Sequence, residues 1–407
     1  MNTSPHYDIA IVGAGLVGAS VAIALASAGK KVLLLESGNL ELNQTIDEDA
    51  RNTVLGFGSR ELLENIGVWG VLQDDFSQID TVHVSQKGSF GVTRLTKETE
   101  GLPALGYLIP NHKILTALYA KLRNCVGVDV SENVSALNIV NNSQSVQLSY
   151  QHKDAEVTAM CKLLIGADGT RSGVREQLGI EADITDYEQS ALVANVKSSS
   201  FETGLAYERF TKQGPVALLP LANKKYSMIW VASPEEVQTL LNLPEKEFLA
   251  RLQKHFGFRI GLFESCGQRQ VYPLRLLRAQ QVFHNRCLLI GNAAYTVHPI
   301  AGQGFNLALR DINYLSALLG QEDDPGLDVV LEQYERERRE DVDRIIRFTD
   351  GLLRLFSSQS RFLKHARGAA LMILGQSPLL QRQVSRQGLG LFRNNVSALA
   401  SRSESRE

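Results

Sequence analysis

The chain is poor in cysteine and has almost no net charge, and each shortage removes a class of function. Cys125, Cys161, Cys266 and Cys287 are the four cysteines of 407 residues and lie far apart. None forms a C-x-x-C pair or has a histidine at ligand spacing, so neither a zinc site nor a secreted disulfide framework is predicted, and no metal is expected. The chain reads as cytoplasmic with reduced thiols. A formal net charge of −2 supplies no global basic field, which argues against nucleic acid as a partner. Charge is also missing from Ile9 through Gly29, a stretch long enough by count to span a bilayer. Its glycines divide it into a short strand and a helix, and no Lys or Arg precedes it as a signal-peptide n-region, so no membrane span or leader is expected there. Repeats and low-complexity tracts are absent. What remains, 44% hydrophobic and 21% charged, is ordinary globular composition with enough length for two domains.

Within that uncharged stretch Gly13, Gly15 and Gly18 form a G-x-G-x-x-G turn between an apolar strand and a small-residue helix, Ala19 to Ala28. Gly13 permits the tight turn, Gly15 lets a pyrophosphate approach the backbone, and Gly18 lets the helix pack closely on the strand, with the helix N-terminus facing the phosphates. A second strand, Lys31-Val-Leu-Leu-Leu-Glu36, follows and ends in a carboxylate at the offset of a ribose 2′-OH partner. Strand, turn, helix, strand and acid thus occur in the order of a dinucleotide-binding βαβ unit.

Further along, Ser37 to Ala50 reads as a polar surface loop, and Ser59 is the expected N-cap of a helix whose apolar face is Leu62, Leu63 and Ile66, stopped at Gly67. Ile114 to Leu122 has helical spacing. Strand patterns then dominate from Ser145 to Leu274, including 191–196, 216–221, 226–231 and 270–274, and suggest a separate sheet. Cys287-Leu-Leu-Ile-Gly-Asn returns to the style of the first unit, and from Leu331 the chain is helical.

Two further glycine clusters bear on the cofactor. One is Leu164-Ile-Gly-Ala-Asp168-Gly169; the other is Gly291-Asn292-Ala-Ala-Tyr295, continuing through His298-Pro299 to Gly302-Gln303-Gly304 and Asn306. With the first turn, they resemble the three fingerprints of the single-component FAD-dependent aromatic hydroxylases, in the family's order, across roughly residues 7 to 340. Segments such as Glu208-Arg-Phe-Thr211, Gly214-Pro-Val-Ala-Leu-Leu-Pro-Leu221 and Tyr272-Pro-Leu-Arg-Leu276 are similar to the bacterial ubiquinone-biosynthesis branch, closest to its 2-polyprenyl-6-methoxyphenol hydroxylases. Asn292 stands where the wider family has Asp, as it does in that branch, and keeps one acceptor oxygen for a ribityl hydroxyl.

The resemblance implies an α/β chain with a Rossmann-like FAD-binding domain, as in para-hydroxybenzoate hydroxylase, a β-rich substrate domain and a helical C-terminus. The FAD-binding parts would be 1–75, 101–182 and 277–340, the substrate parts 76–100 and 183–276, and 341–407 a basic helical segment. It implies non-covalent FAD, reduced by an external donor that is either NAD(P)H or a protein, since no second complete dinucleotide fingerprint is present. With O₂ it would hydroxylate the ring of a polyprenylated methoxyphenol; another ring carbon on the same pathway, or a non-catalytic flavoprotein scaffold, are the alternatives. Gly13, Gly15, Gly18, Glu36, Arg51, Asp168, Gly291, Asn292, Pro299, Gly302, Gln303, Gly304 and Asn306 are the expected cofactor contacts. His298 is the candidate for proton transfer, a structural turn being its other reading, and His112 divides between capping and cofactor contact. Phe210, Leu218, Leu219, Pro220 and Trp230 are candidates for the substrate wall or for simple core. Between Arg344 and Arg393 nine cations face the single acid Asp350, a pattern suited to peripheral contact with an anionic membrane face or to other proteins of the pathway, or else a solvated helical face.

Overall fold

The computed structural model describes residues 5–41, 50–72, 75–88, 92–211, 213–297 and 303–357. Along the chain run β1 (His6–Val12), α1 (Leu16–Ser27), β2 (Val32–Leu35), β3 (Asn52–Leu55) and α2 (Phe57–Asn65). Next come β4 (Ser77–Ile79), β5 (Thr81–Gln86), β6 (Val92–Thr96), α3 (Lys97–Glu100), β7 (Gly106–Pro110), α4 (Asn111–Leu122), β8 (Val128–Ser131), β9 (Ser135–Asn141), β10 (Val146–His152), β11 (Ala155–Gly166) and α5 (Gly173–Gln177). The second half holds β12 (Ala182–Ser198), β13 (Leu205–Phe210), β14 (Pro215–Pro220), β15 (Tyr226–Ala232), α6 (Pro234–Asn242), α7 (Glu245–Phe256) and β16 (Phe263–Cys266). It ends with β17 (Gln270–Ala279), β18 (Phe283–His284), β19 (Cys287–Leu289), β20 (Tyr295–Thr296), α8 (Gln303–Gly320) and α9 (Asp328–Ser357).

The first sheet has a parallel centre in the order β19-β11-β1-β2-β8. The inner stretches 9–12, Val32–Leu35, 163–165 and Cys287–Leu289 read as unbroken apolar runs because both faces are covered, whereas the edge strand β8, Val-Asp-Val-Ser, is half-exposed. Ile9, Ile11, Val32, Leu34, Leu163 and Ile165 face a core shared with α1, α4 and α8. The alternate residues Ala10, Leu33, Leu35 and Leu164 face a second core with Val146, Leu148 and Tyr150 of β10 and Val342 and Ile345 of α9. α1 is buried from Gly18 to Leu25, so the uncharged stretch 9–29 is used by a strand and a helix inside the protein. No helix among the described residues is long and apolar enough to cross a membrane.

The second sheet runs β20-β17-β12-β15-β14-β13-β5-β6. One face packs on α6 and α7, where Leu218 and Trp230 join Val237, Leu240, Phe248 and Leu252. Of the wall candidates, Leu218 and Trp230 are therefore core residues on the helix-covered face. Leu219, one residue on, points the other way, towards Val54, Ile79 and Leu108. A small third sheet, β3-β7-β4, lies between the two larger ones in sequence and contact.

Four local readings change. The strand pattern at 145–150, expected in the separate sheet, is β10 and pairs with β11 at the edge of the first sheet, because its Val146, Leu148 and Tyr150 join that sheet's second core. α2 starts earlier than its pattern suggests, with Gly56 as N-cap, and Ser59 lies inside the helix where its hydroxyl donates to Asn306 Oδ1 at 2.6 Å. α6 and α7 lie where strand patterns prevailed. α9 begins at Asp328, slightly before Leu331.

Candidate functional site

Three loops leave the carboxyl ends of β1, β11 and β19, the edge at which open α/β sheets bind ligands. After β1, Gly13 has φ +98° and its N–H donates to Leu35 O at 2.8 Å. A Cβ on Gly13 would lie 2.7 Å from Ala167 O, and one on Gly18 only 1.7 Å from Gly13 O. These two glycines therefore serve close packing between β1, β11 and α1. Gly15 differs: it has φ −64° and ψ −173°, which any residue adopts, and a Cβ there would meet no atom within 4 Å. No described residue therefore limits the size of a side chain at Gly15, and the space before the α1 N-terminus is open towards it.

Both ends of the Ala14 residue are fixed. Its N–H donates to Glu36 Oε2 at 2.5 Å, and its carbonyl accepts the Tyr119 hydroxyl at 3.0 Å. Glu36 also accepts from Gly38 N–H at 2.9 Å and the Ser37 hydroxyl at 3.2 Å. Burial, with the nearby Glu36 carboxylate adding to it, pushes the Tyr119 phenol up to about 12, so it stays a donor at neutral pH.

The loops after β11 and β19 are tied together. Arg175 donates to Ala293 O at 2.8 Å and to Thr170 O at 3.0 Å. Asp168 Oδ2 accepts the Val174 N–H at 3.0 Å, whereas Asp168 Oδ1 is buried and has no hydrogen-bond partner among the described residues. A buried carboxylate oxygen without a donor is costly, by about 1–3 kcal/mol, and it lies in the same loop cluster as the Gly15 space. Gly291, at φ +57°, brings the last loop against α1, since a Cβ would lie 3.0 Å from Val17 Cγ2. The side chain of Asn292 beside it is exposed.

An anion-ready helix N-terminus, a gap at Gly15 and an oxygen awaiting a hydroxyl fit a dinucleotide. The family model described as FAD binding domain matches residues 6–349. The chain belongs to the FAD-dependent monooxygenase family. It is 32% identical over 392 residues to ubiquinone hydroxylase UbiL of Rhodospirillum rubrum, covering 95% of this chain and 90% of that protein. It is 30% identical over 405 residues to the 3-demethoxyubiquinol 3-hydroxylase of Escherichia coli, covering 96% and 100%. Among solved structures, p-nitrophenol 4-monooxygenase PnpA from Pseudomonas putida superposes with a TM-score of 0.78 over 95% of this chain and 99% of that one, at 16% identity, and shares the fold.

Within this flavin monooxygenase the other expected contacts are spread over several elements. Gln303 is buried at the start of α8 and a Cβ on Gly304 would meet nothing within 4 Å. Asn306 accepts from Gly56 N–H at 2.8 Å and the Ser59 hydroxyl, and donates to Val54 O at 2.7 Å. Its amide thus pins the start of α2 to α8. The exposed Arg51 lies at the start of β3, its carbonyl accepting Asn111 N–H at 3.1 Å. His298, Pro299 and Gly302 lie outside the described residues. Cys161 and Cys287 are unpaired, and burial pushes each thiol up to about 12, so neither is a nucleophile at neutral pH.

Proposed function

We propose that the protein uses FAD and O₂ to hydroxylate the aromatic ring of a polyprenylated methoxyphenol in ubiquinone biosynthesis, converting 2-polyprenyl-6-methoxyphenol to the 1,4-benzoquinol. The observation that carries the cofactor part is Asp168 Oδ1, buried and without a partner among the described residues, in the loop that packs against Gly13 two residues before the open Gly15. In this reading the α1 N-terminal amides hold the pyrophosphate, Glu36 accepts ribose hydroxyls, and Asp168, Asn292 and the Gln303–Gly304 turn hold the remainder of FAD. Bound and reduced FAD supplies the activation of O₂. The chain itself orients the ring and shields it from water, with the unhelixed face of the second sheet as the wall nearest residues 50–55.

The substrate class is supported by the names of relatives that match nearly the whole chain, and the ring carbon by the segments similar to the methoxyphenol hydroxylase branch. A second reading, hydroxylation at another carbon, is favoured by the name of the Escherichia coli relative. The pathway intermediate that accumulates in a strain lacking the gene decides between them: 2-polyprenyl-6-methoxyphenol supports the first, a demethoxyubiquinol the second. NAD(P)H or a protein donor would supply electrons. The basic segment from Arg344 to Arg393 is proposed to touch an anionic membrane face, so that binding to anionic vesicles weakens steeply with salt.

A further inference from the structure

β13 carries a carboxylate for which the packing of the protein supplies no reason. Cross-strand register sets Glu208 opposite Ala217 of β14 and Val84 of β5. Its own-strand neighbours on that face are Ala206 and Phe210, 1% and 5% exposed. Ala217 in turn pairs with Ile229 of β15, which pairs with Val193 of β12. Between Val84 and Val193 this row is apolar except for Glu208, with polar Thr93 of β6 and Gln270 of β17 at its two ends, and the Glu208 side chain makes no hydrogen bond or ion pair with any described residue. The side chain is half-buried, and that burial alone pushes its carboxyl up to about 7.

The face matters as much as the burial. α6 and α7 cover the opposite side of the sheet, where Tyr207, His83 and Arg209 lie. On the Glu208 side, Ala50 packs on Ala191, Val193 and Val231. Asn52 Nδ2 donates to Ser227 Oγ at 3.0 Å, and Val54 joins the cluster of Ala206 and Leu221. Residues 50–55 run into α2, which Asn306 ties to the first turn of α8. Glu208 therefore opens towards the segment that borders the proposed flavin site, between two patches where the second sheet already meets that segment.

We propose that Glu208 is the carboxylate that meets the substrate phenol and accepts its proton, an inference that rests on the phenol-hydroxylase reading above. The phenol O–H bond breaks, the proton becomes bound to a Glu208 oxygen, and the electron pair stays on the phenolate oxygen. Delocalisation of that charge makes the ortho and para ring carbons nucleophilic, as attack on an electrophilic oxygen requires. The titratable groups on the elements packed against this face include the phenols of Tyr187 and Tyr272 on the far strands and Arg51 in the segment 50–55, and the Asp80–Lys97 ion pair, 2.9 Å, lies beyond the start of β13. No charge on any of these contributes to the raised carboxyl of Glu208. Ionised Glu208 thus accumulates above about pH 7 and the reactive fraction rises with pH.

The test is single-turnover hydroxylation of 2-methoxyphenol carrying a short 6-prenyl chain, by photoreduced, FAD-loaded protein mixed with oxygenated buffer from pH 5.5 to 8.5. Wild type should show a rate limb rising through about pH 7. Glu208→Gln, which keeps size and hydrogen bonding, should lose that limb and about 100-fold or more in rate at pH 8. Its FAD content and rate of flavin reoxidation without phenol should match wild type, and Glu208→Asp should restore the limb with part of the rate. A Gln variant that keeps both rate and limb overturns this role and leaves the hydroxylase reading intact. Wild-type protein that reoxidises without forming any hydroxylated phenol overturns that reading and this role with it.

Discussion

Gly15→Val separates a glycine kept for a ligand from one kept for the protein. The backbone at Gly15, φ −64° and ψ −173°, accepts a side chain, and the Cβ enters space with no atom within 4 Å. The apoprotein should therefore lose only the poorer N-cap of α1, about 0.5–1 kcal/mol. FAD at a hundredfold excess over its Kd stabilises the wild type by about 2.7 kcal/mol, and the valine, standing where the pyrophosphate must come, should remove all of it. Gly18→Ala is the counterpart: its Cβ would sit 1.7 Å from Gly13 O, so the turn or α1 must move. That overpacking should cost the apoprotein about 3 kcal/mol before any cofactor is added. Urea denaturation of apo and FAD-loaded forms, with fluorimetric FAD titration, reads both effects. Unchanged FAD affinity in Gly15→Val, or an undiminished apoprotein in Gly18→Ala, would refute this division of roles.

Asp168→Asn keeps an acceptor for Val174 N–H but replaces the other oxygen with a donor, so FAD affinity should fall about 10- to 100-fold, the worth of a charge-assisted hydrogen bond, with apoprotein stability unchanged in the same titration. Asn292→Asp, at an exposed position, should retain or tighten FAD because it adds a charged acceptor; loss of binding would show another role for Asn292. Arg338→Met strands Asp311, 0% exposed and bonded to Arg338 Nε at 2.6 Å, and should cost about 3–5 kcal/mol in denaturant unfolding. The wild-type Asp311 carboxyl already lies up at about 6 through burial, offset by Arg338; without the cation it refolds best protonated, so the loss grows as pH rises from 6 to 8, and Asp311→Asn in the same chain should recover part of it.

The centre of the first sheet, β1, β2, the end of β11 and β19, is readable in the sequence because these stretches are continuous apolar runs punctuated by glycines that the turns require, whereas the half-exposed β8 and β9 carry no such run. Asp168 and Asn292 stand out as candidates because they are embedded in those turns. The helices α6 and α7 are not readable, although the start of α6 carries its signals: Ser233 caps with its hydroxyl accepting Glu236 N–H at 3.3 Å, Pro234 follows, and two acids fill the first turn. Strand patterns on either side outweighed nine residues of periodicity. Asn306 illustrates a different limit, because its motif position suggests cofactor contact while its amide is engaged with residues 54, 56 and 59, a long-range tie that no local pattern encodes. Glu208 was visible only as part of a similar segment, since strand alternation alone does not say which face the flavin unit will border.

Photoreduced, FAD-loaded protein can be mixed with the prenylated methoxyphenol and isotopically heavy dioxygen, and the product weighed by mass spectrometry. A flavin-dependent ring hydroxylase should yield the hydroquinone with a single heavy oxygen on the ring, its amount tracking the reduced flavin consumed. Recovery of unchanged phenol with hydrogen peroxide alone, or a hydroxylated product whose new oxygen comes from water, would contradict the assignment.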